Sequence, residues 1–157
     1  MTPAVRHLKK QKIVFTLHQY QHEANGCSYG KEAAKKLHIS SAQVFKTLVV
    51  SCDGDENLLA VSVVPVTHQL NLKMLAKVLN VKKVKMADAK RVEASTGYVL
   101  GGVSPIGQKK TLKTVIDNSA ENFSTIFVSG GKRGLEIELS SSNLAKLTRA
   151  KFAKITC

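Results

Sequence analysis

The chain has 157 residues, of which 43 % are hydrophobic and 22 % are charged, a composition typical of globular domains and not of disordered segments. Its 24 Lys and Arg against 11 Asp and Glu give a net charge of +13, which favours contact with RNA or DNA but also suits solubility alone. Three cysteines are too few for a disulfide framework, and no apolar run reaches the roughly 20 residues that span a bilayer.

The first half of the chain predicts two short helices, a strand and a β-hairpin. Thr2 and Pro3 suit the N-cap and the first position of a helix that continues to about Lys12. This charged segment lacks the apolar stretch of a signal peptide, so we expect a cytoplasmic protein. A strand over 13–20 and a helix over 31–38 follow. Strands over 43–51 and 58–66 are predicted to form a hairpin around Asp53-Gly54-Asp55.

The second half alternates short helices and strands without a regular βαβ pattern. Asn71 and Asp88 are predicted N-caps, and a glycine-rich passage covers 101–107. The remaining predicted elements are strands over 112–116, 125–128 and 135–139, a helix over 141–147 and a last strand over 152–156. No linker or repeat divides the chain. We therefore predict a single domain over 1–157 of the α/β class (α+β type), with a mixed, largely closed β-sheet or barrel surrounded by helices.

Lys46 is the most informative single residue. The period of two in a strand places it on the same face as Val44 and Leu48, and the other face is also largely apolar. A lysine in such a strand is costly unless it meets an anion or lines a cavity. A lysine that reaches solvent from the strand end is the alternative.

Two glycine-rich loops are candidate ligand sites. Gly101 and Gly102 can present backbone N–H groups to a ligand, and Pro105 would stiffen that loop. The SGGKRG loop at 129–134 carries two cations between two strands and could bind a phosphate or carboxylate. Either loop could also be an ordinary turn.

Other reactive residues form no convincing catalytic set. His18, His22 and Cys27 lack a second ligand pair, so we expect neither a metal nor another cofactor. Cys52 fits a small buried hydrophobe better than a nucleophile. Tyr20 could belong to the core or line a pocket. No acid–base pair or triad is evident.

Three motifs in order resemble those of one enzyme family. FKTL at 45–48, GYVLGGVSPIGQKK at 97–110 and VSGGKRGL at 128–135 closely resemble the YbaK-type deacylases, which are relatives of the editing domain inserted in bacterial prolyl-tRNA synthetases. The resemblance extends from the N-terminus to the last predicted strand. It implies a mixed β-structure with helices around it.

The resemblance also implies an activity and a site. The implied activity is hydrolytic removal, in trans, of cysteine wrongly attached to proline tRNA, with Cys-tRNAPro as substrate and prolyl-tRNA synthetase as a possible partner. Lys46 would hold the tRNA 3′ end, and Gly101 and Gly102 would act on the ester in a G-x-x-x-P loop. The residues implied to bind substrate are Tyr20, Thr47, Val103, Ser104, Pro105, Ser129, Gly130, Gly131 and Arg133.

The missing triad suits this activity, because an aminoacyl ester is already reactive. Orientation can contribute roughly 7–11 kcal/mol and one oxyanion donor about 3–4 kcal/mol. The family resemblance adds that the substrate's own thiol attacks the ester carbonyl. Two alternatives remain open: editing of another small amino acid such as alanine on proline tRNA, and a non-catalytic module that binds tRNA or a synthetase.

Overall fold

The computed structural model describes residues 1–23 and 29–157. The described helices are α1 (Pro3–Lys10), α2 (Tyr29–Leu37), α3 (Leu72–Leu79), α4 (Ala89–Thr96) and α5 (Ser141–Thr148). Their N-termini follow capping chemistry: the side chains of Thr2, Asn71 and Asp88 each accept a hydrogen bond from a backbone N–H of the first helical turn. These three predicted caps are confirmed. No helix in the described residues has the length and apolar character needed to cross a membrane.

Two separate sheets contain the described strands. These are β1 (Thr16–Gln19), β2 (Phe45–Cys52), β3 (Asp55–Pro65), β4 (Val84–Met86), β5 (Lys113–Asp117), β6 (Ile126–Ser129), β7 (Leu135–Leu139) and β8 (Lys151–Ala153). The larger sheet has the order β4-β2-β3-β5-β8, and the smaller has the order β1-β7-β6. The β2–β3 hairpin turns at Asp53 and Gly54, which both have positive φ, as a type I′ turn requires. The predicted hairpin is confirmed.

The predicted largely closed sheet is wrong for the described residues. In the described residues, the backbone pairing between the two sheets is limited to an isolated parallel bridge between Val44 and Phe127. Ser40 caps a 3₁₀ turn, Ser41–Gln43, immediately before Val44, so the chain does not extend the ladder in that direction. The mixed arrangement of helices and strands is confirmed, and its strands form two packed sheets instead of a barrel.

Three strand predictions need correction. Strand β1 is shorter than predicted. The N–H of Ile13 donates to Leu8 O, so Ile13 still belongs to the end of α1, and the strand begins only at Thr16. Strand β4 was not predicted, because three residues are too few to establish an alternating pattern. Strand β8 ends at Ala153, after which the N–H of Ile155 donates to a carboxylate oxygen of Asp117 at 3.0 Å.

The five-stranded sheet separates two clusters of buried side chains. One cluster joins Val49 and Val61 to α1 and to the three-stranded sheet, where Ile137 is fully buried. The other joins Val50 and Val64, on the opposite face, to the apolar side of α3. Helices α1 and α3 therefore lie on opposite faces of the larger sheet. The first half of β2 and the two glycine-rich loops border a pocket beside the first cluster.

Candidate active site

One pocket brings most of the predicted site residues together. Its cavity measures about 250 Å³. The lining comes from the ends of β1 and β7, the start of α2, the first half of β2 and the two glycine-rich loops. The lining residues are Tyr20, Gly30, Phe45, Lys46, Thr47, Leu48, Val66, Leu100, Gly101, Val103, Ser129, Lys132, Arg133 and Glu136.

Lys46 enters this pocket as a cation without a carboxylate partner. It lies on β2 opposite Val64 of β3, and its side chain is partly buried. Burial lowers the pKa of its ammonium group, and the nearby charge of Lys31 lowers it further. No described carboxylate forms an ion pair with Lys46. The arrangement suits an anion supplied by a ligand.

Glu136 is the functional candidate that the sequence pattern did not reveal. It lies on β7, the middle strand of the smaller sheet, and is only 6 % exposed. Burial raises the pKa of its carboxyl to about 8. Its Oε2 has no hydrogen-bond partner, and neither has the buried hydroxyl of Thr47 in the same pocket. Buried polar groups are almost always paired, so two unpaired atoms in one cavity indicate that a polar ligand completes it.

Tyr20 closes the pocket from the end of β1. Its backbone N–H donates to Gly134 O at 2.9 Å, which joins it to the second glycine-rich loop. Burial, together with the charges of Glu136 and Glu32, raises the pKa of its phenol to about 12. The hydroxyl therefore stays protonated at neutral pH and can donate a hydrogen bond within the pocket.

Internal hydrogen bonds hold the first glycine-rich loop. The hydroxyl of Tyr98 donates to Ile106 O at 2.6 Å, and the buried hydroxyl of Ser104 accepts from Ile106 N at 3.2 Å. Gly101 has φ +89°, a conformation that favours glycine. The N–H of Gly102 is already donated to Val99 O at 3.0 Å.

The predicted site residues of the first glycine-rich loop therefore fall into two groups, those that line the pocket and those that do not. Gly101 and Val103 line the pocket, and their N–H groups have no acceptor among the described residues. Gly102 and Ser104 do not line the pocket and instead hold the loop's shape. Pro105 lies on the other side of the loop, in a second cavity. Val103 thus lines the pocket beside Gly101, where the resemblance implied Gly102.

The second glycine-rich loop is fastened to the N-terminus of α1. The hydroxyl of Thr2 donates to Gly130 O at 2.5 Å, and the N–H of Gly131 donates to Ser129 Oγ at 3.1 Å. Of the predicted residues here, Ser129 and Arg133 line the pocket, whereas Gly130 and Gly131 support the loop. Lys132 adds a second cation to the pocket wall.

Gly102 sets the separation between the two loops. A Cβ at this position would stand 3.0 Å from the backbone Cα of Lys132, closer than such contacts normally allow. We expect Gly102→Ala to push the loops apart and to lower kcat/KM of the reaction proposed below by at least tenfold, since misplacement by about 1 Å can cost about 100-fold. The measurement is steady-state turnover beside a thermal melt.

Gly54→Ala is the control for this substitution. Unlike Gly102, Gly54 has positive φ, but a Cβ there meets nothing within 4 Å and the hairpin turn does not line the pocket. The control should lose stability and keep activity. Full activity of a folded Gly102→Ala variant would contradict the positioning role.

The remaining sequence candidates lie elsewhere. Cys52 packs in the second buried cluster, and burial raises the pKa of its thiol. His18 pairs with Glu138 at 2.9 Å, and His22 pairs with Glu32 at 2.6 Å. Cys27 and the rest of 24–28 lie outside the described residues. Within the described part, no group of three His, Cys, Asp or Glu could hold a metal ion.

Comparisons with known proteins identify the family to which the chain belongs. Residues 24–147 match the model of the aminoacyl-tRNA editing domain. A protein of Enterococcus faecalis described as a Cys-tRNA(Pro)/Cys-tRNA(Cys) deacylase, EbsC, is 39 % identical over 155 residues, which cover 99 % of this chain and 93 % of that protein. A proline–tRNA ligase of Brachyspira hyodysenteriae is 28 % identical over 66 % of this chain and 18 % of its own length.

A solved structure supports the fold. It is described as a trans-editing enzyme for prolyl-tRNA synthetase and superimposes with a TM-score of 0.85 over 100 % of this chain and 99 % of its own. Its sequence identity is 20 %, so this likeness concerns the fold alone. Since the domain model covers most of the chain and the Enterococcus faecalis relative nearly all of it, the chain belongs to the aminoacyl-tRNA editing domain family.

Proposed function

We propose that the protein is a trans-editing hydrolase that removes cysteine wrongly attached to proline tRNA. The choice of substrate is supported by the 39 % identical relative, which is described as a Cys-tRNA(Pro)/Cys-tRNA(Cys) deacylase. The observation that supports the reaction type is the composition of the pocket. Lys46 and Glu136 line it together with Gly101 and Val103, whose backbone N–H groups have no hydrogen-bond acceptor among the described residues. The protein acts in the cytoplasm alongside prolyl-tRNA synthetase, which makes the mischarged substrate.

Binding begins with the 3′ end of the tRNA. Lys46 contacts a phosphate of this end, because its ammonium group has no described carboxylate partner and a charged hydrogen bond contributes about 1.5–3 kcal/mol. Lys132 and Arg133 add positive charge at the pocket wall. The aminoacyl ester then lies against Gly101 and Val103.

The chemical step uses the substrate's own thiol. The sulfur forms a bond to the ester carbonyl carbon, and Glu136 accepts the thiol proton in its ionised form, which is the minor form below its pKa of about 8; this pKa is close to that of a thiol. The N–H groups of Gly101 and Val103 stabilise the negative carbonyl oxygen. The ester C–O bond then breaks, and the ribose oxygen leaves with the proton returned by Glu136. Water opens the resulting thiolactone and releases cysteine.

Deacylation of three matched substrates tests the proposal. Cys-tRNAPro, Ser-tRNAPro and Ala-tRNAPro are incubated with the protein, and spontaneous hydrolysis is subtracted. We expect cysteine to be released well over 200-fold faster than serine or alanine, because only cysteine carries a thiol. A pocket without this chemistry separates near-isosteres by on the order of 10–200-fold at best.

The other outcomes identify the alternatives. Faster loss of alanine would overturn the thiol mechanism and make alanine the substrate. Tight tRNA binding without turnover of any substrate would identify a non-catalytic binding module.

A further inference from the structure

A second and larger cavity lies on the outer side of the first glycine-rich loop. It measures about 730 Å³. One wall is a single face of α1, formed by Arg6, His7 and Lys10, whose spacing of three and four residues places them together. Lys110, Arg149 and Pro105 also line this cavity. We call this cavity the basic groove.

The groove carries positive charge that the described protein does not neutralise. Arg6, Lys10, Lys110 and Arg149 are exposed, and no acidic residue lines the groove. None of the four forms an ion pair with a described residue. Lys10 and Arg149 stand at helix C-termini, where a cation also offsets the helix dipole. Arg6 and Lys110 have no such explanation, so the groove as a whole fits a polyanion.

The groove and the active-site pocket share one loop. Val103 lines the pocket and Pro105 lines the groove, and two residues of chain span roughly 7 Å at most. The bond from Thr2 to Gly130 fixes the start of α1, which forms the groove wall, to the pocket's other loop. A polyanion whose end enters the pocket can therefore continue directly into the groove.

We propose that the basic groove holds the phosphate backbone of the acceptor arm of tRNA while the 3′ end occupies the pocket. The RNA identity of the ligand rests on the proposed function. Cations from α1, from Lys110 and from the end of α5 suit a ligand charged along its length, and the lining has no Phe, Tyr or Trp on which bases could stack. An acidic protein surface would be expected to need an apolar anchor, and none of the exposed large hydrophobic residues of the described chain lines the groove.

Salt titration of RNA binding tests this assignment. A non-aminoacylated acceptor-stem RNA hairpin with a CCA end is titrated with the wild-type protein and with the double variant Arg6→Gln/Lys110→Gln. The control is the double variant Lys73→Gln/Lys82→Gln. The control removes the same charge from exposed positions on and beside α3, on the opposite face of the larger sheet. We expect the groove variant to bind at least fivefold more weakly and to lower the salt slope by about 2, while the control changes neither.

Binding and turnover are read separately. Deacylation of 3′-cysteinyl adenosine, which carries no phosphate for the groove to bind, should be unchanged in the groove variant. Equal losses of hairpin affinity in the groove variant and the control would attribute the effect to net charge and overturn the proposal. Unchanged hairpin affinity in the groove variant would also overturn it, as would a variant that weakens only the binding of prolyl-tRNA synthetase. A protein that shows the slope difference without any turnover would overturn the proposed function and keep the groove as an RNA site.

Discussion

Replacing Glu136 by glutamine is expected to lower kcat for Cys-tRNAPro by at least 100-fold and, at the same time, to stabilise the fold at alkaline pH. The loss follows because a proton acceptor in the transition state contributes on the order of 100- to 10,000-fold, and an amide cannot take its place. The gain follows because the 6 % exposed carboxyl is shielded from water, so its ionised form is unfavourable in the folded protein.

The pH window of the stability gain follows from the pKa. The pKa of Glu136 rises from 4.5 to about 8 on folding, so between these values the folded protein holds a proton that the unfolded chain has released. The carboxyl therefore makes the wild type progressively less stable as pH rises through this window. We expect the Tm of Glu136→Gln to exceed that of the wild type by at least 2–4 °C at pH 8.5, or about 1 kcal/mol, and to converge with it near pH 5.

Glu138, two residues along the same strand, provides the control. It accepts hydrogen bonds from Thr125 at 2.6 Å and from His18 at 2.9 Å, and these contacts lower its pKa. Glu138→Gln should therefore lower the Tm at neutral pH and leave kcat unchanged. Thermal melts at pH 5 and pH 8.5, with single-turnover deacylation, distinguish the two. A Glu136→Gln protein with normal kcat, or with a lower Tm at pH 8.5, would contradict the role assigned to this carboxyl.

Replacing Lys46 by alanine is expected to lower kcat/KM for Cys-tRNAPro by about 10- to 100-fold while the fold stays intact. This magnitude corresponds to the roughly 1.5–3 kcal/mol of one charged hydrogen bond. Stability should not fall, because burial of the unpaired ammonium group is itself unfavourable, as its lowered pKa indicates.

The Lys46→Ala substitution should weaken binding of the tRNA 3′ end and leave binding of the rest of the RNA unchanged. Binding of an acceptor hairpin that retains CCA should weaken, whereas binding of one that lacks CCA should stay the same. Lys73→Ala, an exposed lysine of α3, is the matched control and should leave both unchanged. Turnover equal to the wild type in a folded Lys46→Ala protein would remove Lys46 from the site.

Local chemistry explains which features could be read from the sequence. The Asp53-Gly54 turn, the caps at Asn71 and Asp88, and the alternation of Leu135 with Glu136 all depend on neighbouring residues. Closure of the sheets depends instead on how distant segments pack, and the single bridge at Val44 could not be anticipated from its neighbours.

The candidate site shows the same division. Lys46 stood out because a charge interrupts an apolar strand, and the structure places it in a pocket. The alternation on β7 separated Glu136 from the core-facing side, which usually means exposure to solvent. The residue after β1 and the first half of β2, which are distant from β7 in sequence, instead pack over this second face and bury the carboxyl. Family motifs identified the first glycine-rich loop, but only the hydrogen bond from Gly102 to Val99 shows which N–H groups are available.

The pairing of β1 with β7 bears on when the enzyme becomes active during its own synthesis. In the described chain β1 has no sheet partner other than β7, and the hydroxyl of Thr2 reaches across 128 residues to Gly130. At about 5–20 residues per second, the ribosome needs on the order of 10 s to make the intervening chain. Until then Tyr20 and Lys46 lack the wall that Glu136 completes. A nascent chain emerging among aminoacylated tRNAs therefore has no functional pocket until β7 has left the ribosome.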